Sequence, residues 1–187
     1  VDLIIRPKGF PDLFEELEEH RADLLFLCFG FNESFAGAAG VDRYTEALTR
    51  FLQELQGEQF NGKSTPRIVL VSPIAFESTE GVAVDSFSRN GNLKLYVKAS
   101  AGVAARTGVR FLDLLTPTAG WIVRHPDRRL TFNGIHLTEF GDRVVSRMMA
   151  SGLELIDAAD FSSPVAQDHG AEKLRRLVYE KNHHFFA

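Results

Sequence analysis

Apolar residues along the chain follow two rhythms. The first is the short unbroken run: LLFLCF from Leu24 to Phe29, IVLV inside RIVLVSP, and the apolar part of VRFLDLL. Runs of this length, apolar at nearly every position, predict strands buried on both faces of a parallel sheet. The second rhythm is helical. PDLFEELEEHR, with Pro11 near its start, puts Leu13, Phe14 and Leu17 on one face. VDRYTEALTRFLQELQ does the same with Tyr44, Leu48, Phe51, Leu52 and Leu55, and offers Asp42 as an N-cap. Further helices are predicted over Leu93–Arg106, stopped by Gly108, and after Thr138 as N-cap in LTEFGDRVVSRMMASGLEL. EKLRRLVYEKNHHFFA predicts a last helix beyond the polar linker DFSSPVAQDHG.

Two stretches break the pattern. AFESTEGVAVDSFSRNGN has turn composition and reads as a long loop. TAGWIVRHPDR reads as helical or irregular. Strand and helix otherwise alternate three times, which predicts an open three-layer α/β sheet with parallel strands and helices on both faces. In such sheets, sites form outside the carboxyl ends of the strands. GFNES, immediately after the first run, stands at such an end.

Composition narrows the picture only a little. At 187 residues the chain is long enough for a full core, and a formal charge of −4 with a pI near 5.9 gives no bulk reason to expect a nucleic-acid partner. Cys28 is the one cysteine, so it forms no internal disulfide, and its apolar neighbours predict a buried small hydrophobe. No Cys/His spacing suggests zinc, and no residue implies a cofactor. No apolar run is long enough to span a membrane, and no basic-then-apolar leader is present. The chain begins with Val1, so the missing leader does not decide its compartment.

Candidate chemistry gathers in two segments. Gly30 and Asn32 can both donate hydrogen bonds to an oxygen gaining charge, as an oxyanion hole does, and Glu33 beside them can touch a substrate. The same residues also make an ordinary strand-to-loop turn. In LTFNGIHLTEFGD, His136 precedes a helix N-cap and can serve as a general base, with Asn133 three residues earlier to orient the ring. A partly exposed loop histidine without a duty is the other reading. Trp121 reads as a packing anchor, and Glu77 and Glu80 as solvated carboxylates. His183 and His184, in HHFF, read as part of a docking terminal helix.

Together, G-F-N-E after a strand and N-G-I-H-L-T before a helix resemble the third and fifth sequence blocks of the SGNH, or GDSL-type, hydrolases. FGFNESFAGAAG, FNGKSTPRIVLVSPIAFE, LTFNGIHLTEFG and VYEKNHHFF are further similar to the GDSL-type domain of multidomain, haem-binding planctomycete proteins. The resemblance implies a flavodoxin-like three-layer fold, an ester or glycan-ester substrate, His136 as base with Asn133 beside it, and Gly30 and Asn32 in the oxyanion hole. It implies an exported parent protein with possible downstream domains. It also implies a partial hydrolase domain over 1–157, lacking its first strands, followed by a linker and docking helix over 158–187.

Three departures from the family pattern stand out. The block-one Gly-Asp-Ser has no counterpart: Ser86 in VDSFS falls in the wrong place, so the nucleophile is expected outside this chain and the chain is expected to be inactive by itself. Asn133 replaces the Asp that normally stands three residues before the histidine. Phe76 stands where the multidomain relatives tend to have His. Both replacements open a second possibility, a catalytically inactive binding module.

Overall fold

The computed structural model describes residues 12–78 and 85–156, together with 173, 176 and 177. All elements below belong to the first of two compact units, Val1–Asp157. Of the predicted terminal helix, Lys173, Arg176 and Leu177 are described and are helical; its other residues, with His183 and His184, and Glu80 lie outside the described residues.

Three strands form one parallel sheet in the order β1 (Leu24–Cys28), β2 (Arg67–Val71) and β3 (Arg110–Leu112). Leu25 aligns with Ile68 and Leu27 with Leu70, which in turn aligns with Phe111. Parallel neighbours need crossovers, and helices supply them: α2 (Val41–Gly57) between β1 and β2, and α3 (Ser86–Thr107) between β2 and β3. A short α1 (Leu13–Glu19) precedes the sheet, and α4 (Leu115–Arg124) and α5 (Glu139–Gly152) follow it.

One face of the sheet closes over the main core. Leu25, Ile68 and Leu70 meet Tyr44, Leu48, Leu52 and Leu55 of α2 and Tyr96 and Val103 of α3. On the opposite face Val69, Val71 and Leu112 are also buried, and the end of α5 reaches Leu112 at Gly152. This is the α/β architecture the alternation predicts.

β1 departs from expectation. Its residues alternate instead of being buried throughout, with Leu24 at 43% and Phe26 at 44% exposure and Cys28 exposed as well. The reason is position: among the described residues β1 stands at an edge of the sheet, so one of its faces lies beyond the cover given to β2. Cys28 is therefore not the buried hydrophobe its neighbours suggested, although partial desolvation still raises its thiol pKa.

Helix ends test local chemistry. Thr138 caps α5 by accepting from the Gly141 amide at 3.0 Å, and Gly108 ends α3 in the left-handed region at φ 70°. α2 begins earlier than its pattern suggested, with Gly40 as N-cap and Asp42 inside the first turn, where its charge suits the positive helix end. α3 also begins earlier: Asp85 accepts from the Phe87 and Ser88 amides and starts a helix at Ser86, inside the segment expected to be a loop.

Candidate functional site

Two irregular segments lie beyond the strand ends, and both lean on one apolar cluster. Ala75 and Phe76 after β2, Leu93 and Val97 of α3 and Leu115 of α4 form it. Phe31, from the GFNES loop, and Ile135, from the NGIH loop, pack against the same cluster. Sequence positions one hundred residues apart thus share a floor, and the chain between them supplies it.

The first loop turns at Gly30, whose φ of 104° belongs to glycine; an added Cβ would come within 3.3 Å of the Tyr44 hydroxyl. Beyond it, Glu33–Ala36 form a single 3-10 turn. Here the geometry corrects an expectation. The Gly30 amide donates to Glu33 Oε2 at 2.8 Å, so it is not free to meet a substrate oxygen. The turn carries the carboxylate back to the nearest unpaired N–H, as a capping box does. Glu33 is half-buried through this contact, while Asn32 is exposed. Burial, and secondarily the Glu33 charge, raise the pKa of the Tyr44 and Tyr96 phenols behind the loop.

Arg89 holds this loop from α3. Its guanidinium donates to the Phe31 carbonyl at 2.8 Å and lies 3.6 Å from the Phe35 ring centroid and 4.5 Å from that of Phe31. Arg89 is only 6% exposed, its Nε has no partner, and burial lowers its pKa. The next residue, Asn90, grips the other side of the floor, accepting from the Phe76 amide and donating to the Phe76 carbonyl, both at 2.8 Å.

The second loop is a small hairpin. Thr131 and Leu137 pair as an antiparallel bridge, Phe132 N–H donates to the His136 carbonyl at 3.0 Å, and Thr138 N–H to the Leu130 carbonyl at 2.8 Å. At its tip Asn133 Oδ1 accepts from the amides of Ile135 (3.3 Å) and His136 (2.9 Å). This fixes which way the amide points: Nδ2 then faces His136 Nδ1 at 2.9 Å and donates to it. An imidazole that accepts at Nδ1 carries its proton on Nε2, the nitrogen that a general base needs free. Oδ1 also stands 3.2 Å from Nδ1, a longer contact, and its acceptor directions already serve two amides. His136 is exposed, stacked at 20° on Phe132, and no serine hydroxyl among the described residues is hydrogen-bonded to it.

What pins the hairpin is Glu77, which reads in the sequence as a solvated carboxylate and is in fact 5% exposed. Its carboxylate accepts from Leu130 N–H (3.3 Å), Thr131 N–H (2.7 Å) and Thr131 Oγ1 (2.6 Å), and its own amide donates to the Gly134 carbonyl at 3.1 Å. Gly134, at φ 90°, passes so close to the Glu77 carbonyl and the Phe76 ring that a Cβ would collide with both. Phe76 is thus part of the floor. Ser86 is the first residue of α3. Trp121 is buried and stacks at 3.9 Å on His125, as a packing anchor would. Among the described residues no group of His, Cys, Asp and Glu is arranged to hold a metal.

A family model for GDSL-like lipases and acylhydrolases matches residues 6–144. No sequence among the curated proteins matches the chain. Similar solved structures include the acetyl xylan esterase AlAXEase, 19% identical over 74% of this chain and 71% of that one, with a TM-score of 0.59. A lipase/acylhydrolase from Enterococcus faecalis is 20% identical over 76% of this chain and 66% of its own, with a TM-score of 0.53. A peptidoglycan O-acetylesterase is 17% identical over 76% and 40%, with a TM-score of 0.55. At these identities the likeness establishes the fold.

Proposed function

Because the chain belongs to the GDSL-like lipase/acylhydrolase family, we propose that the two loops form part of an ester-hydrolase site. His136 occupies the base position and Asn32 is the side-chain donor to the developing oxyanion. The nucleophilic serine is not supplied by this chain. The observation that supports this reading is the shared floor: Phe31, the neighbour of Asn32, and Ile135, the neighbour of His136, pack on one apolar cluster. Acetylated glycans are the favoured substrates, by analogy with relatives named as acetyl xylan and peptidoglycan esterases. An exported, multidomain parent of the planctomycete type fits this reading and rests on the segment resemblances alone. Among the described residues no helix is long and apolar enough to cross a membrane.

A second reading, a binding module, draws on a specific feature. With Asn133 Nδ2 on His136 Nδ1 and Glu33 on the Gly30 amide, base and hole are both engaged internally. The site as it stands then holds an ester without cleaving it. One experiment tests the site that both readings share: acetylated xylo-oligosaccharide is added while the His136 ring proton signals and acetate release are followed together. Binding without release is expected of this chain. Release abolished by both His136→Ala and a serine-directed reagent would show that the chain supplies its own nucleophile, and no change in either readout would remove the ester site.

A further inference from the structure

Asn-Gly is the sequence most prone to losing its side-chain amide, because the unhindered glycine nitrogen can attack the asparagine Cγ and close a five-membered imide. The chain contains three such pairs: Asn61-Gly62, Asn90-Gly91 and Asn133-Gly134. Their surroundings differ. The Gly62 amide donates to the Gln59 carbonyl, which cannot take a proton, and Asn61 Nδ2 faces the Asp23 carboxylate and Ser64. Asn90 lies within α3, with its side chain clamped to both polar atoms of the Phe76 backbone. Asn133 has partners for the proton transfers and for the oxygen that gains charge.

Each of these partners is a named atom. The Gly134 N–H donates to Thr131 Oγ1 at 3.1 Å, and that hydroxyl donates to the buried Glu77 carboxylate at 2.6 Å, a path for the proton away from the attacking nitrogen. Asn133 Oδ1 already accepts from two backbone amides, those of Ile135 and His136, which stabilise negative charge on that oxygen. Nδ2, the leaving nitrogen, donates to His136 Nδ1 at 2.9 Å while it is an amide; once attack at Cγ turns it into an amine, it can take a proton across the same contact from a ring protonated at Nδ1.

We propose that Asn133 is a self-deamidating site, converted to aspartate by its own loop. Gly134 N bonds to Cγ while its proton passes to Thr131 Oγ1 and the Thr131 proton to Glu77. The Cγ–Nδ2 bond then breaks, and the nitrogen leaves as ammonia with a proton from His136. Glu77 returns its proton to the imidazole through solvent, and water opens the imide at Cγ, restoring the peptide bond and leaving a carboxylate. The net change is the uptake of one water and the loss of one ammonia, with no oxidant or reductant. Resting on the function proposed above, the consequence is that the new carboxylate accepts from His136 Nδ1–H, frees Nε2, and turns an idle imidazole into a base.

The test is peptide mapping by mass spectrometry on the purified full chain, sampled at time zero and during ageing in neutral buffer, folded and in urea. Asn133 is expected to convert at least about tenfold faster folded than unfolded, whereas Asn61 and Asn90 are slower when folded. His136→Ala, at an exposed position and so harmless to the fold, should bring Asn133 back to its unfolded rate, as should Thr131→Val. Equal rates for Asn133 in the two states, or a rate untouched by His136→Ala, would overturn the proposal. Isoaspartate as the sole product would overturn the assignment of aspartate. The consequence is read separately from the imidazole nitrogen signals, with Asn133→Asp as reference. Aged protein should move from the Nε2–H to the Nδ1–H tautomer, and conversion without that move would overturn the acquired base while leaving the modification standing.

Discussion

The two rim loops solve one problem with opposite charges. Each is irregular backbone held against a core, and each is gripped by a buried ionised side chain from a neighbouring element. The GFNES loop is gripped by a cation, Arg89, through one carbonyl and two aromatic rings, with Nε left unpartnered. The NGIH loop is gripped by an anion, Glu77, which accepts three hydrogen bonds from it. Backbone N–H groups point at a carboxylate and draw strength from its charge, whereas a guanidinium has five donors to satisfy and a lone carbonyl takes one. The anionic brace is therefore the tighter, and it holds the loop that carries the imidazole.

The sharpest way to break this contrast is Glu77→Ala, which strands two amides and a hydroxyl in a dry site. A loss of about 3 kcal/mol in urea unfolding is expected, with the amides of 130–138 exchanging fastest. A loss confined to the surface range would mean that the hairpin stands without its anion. Next come the glycines at the loop turns. Gly134→Ala collides with backbone and a ring, whereas Gly30→Ala meets nothing closer than the Tyr44 hydroxyl at 3.3 Å. Both force a side chain to positive φ, so about 2–3 kcal/mol is expected at Gly134 and about 1 kcal/mol less at Gly30. Equal values would argue that backbone conformation, not crowding, sets both. Smallest should be Arg89→Met, which keeps the packing stem and removes a charge with an unsatisfied nitrogen. A change within about 1 kcal/mol is expected, and a larger loss would make the cation as essential as the anion.

Much of this framework could be read from the residues. The three apolar runs are the three strands, and Thr138 and Gly108 bound their helices as their chemistry dictates. What escaped depends on partners distant in the chain. Glu77 looks solvated because its acceptors are satisfied 53 and 54 residues downstream. The start of α3 was hidden because DSFSRNGN has turn composition, yet Asp85 and Ser86 open a helix and Asn90 turns its polarity onto Phe76. β1 misled through its neighbours: an unbroken apolar run says that a strand prefers burial, not that cover is present on both sides. In the proposed site, Asn32, Asn133 and His136 were candidates by residue type and spacing alone. The direction of each hydrogen bond, on which the tautomer of His136 depends, was not.

The exposed side of β1 has a practical meaning as well. Its sole thiol, Cys28, faces outward in line with Leu24 and Phe26, and its raised pKa makes it slow to react. A maleimide dye would thus mark a single, known position on the sheet's margin, and the rate of marking would serve as a gauge of whatever comes to lie across it.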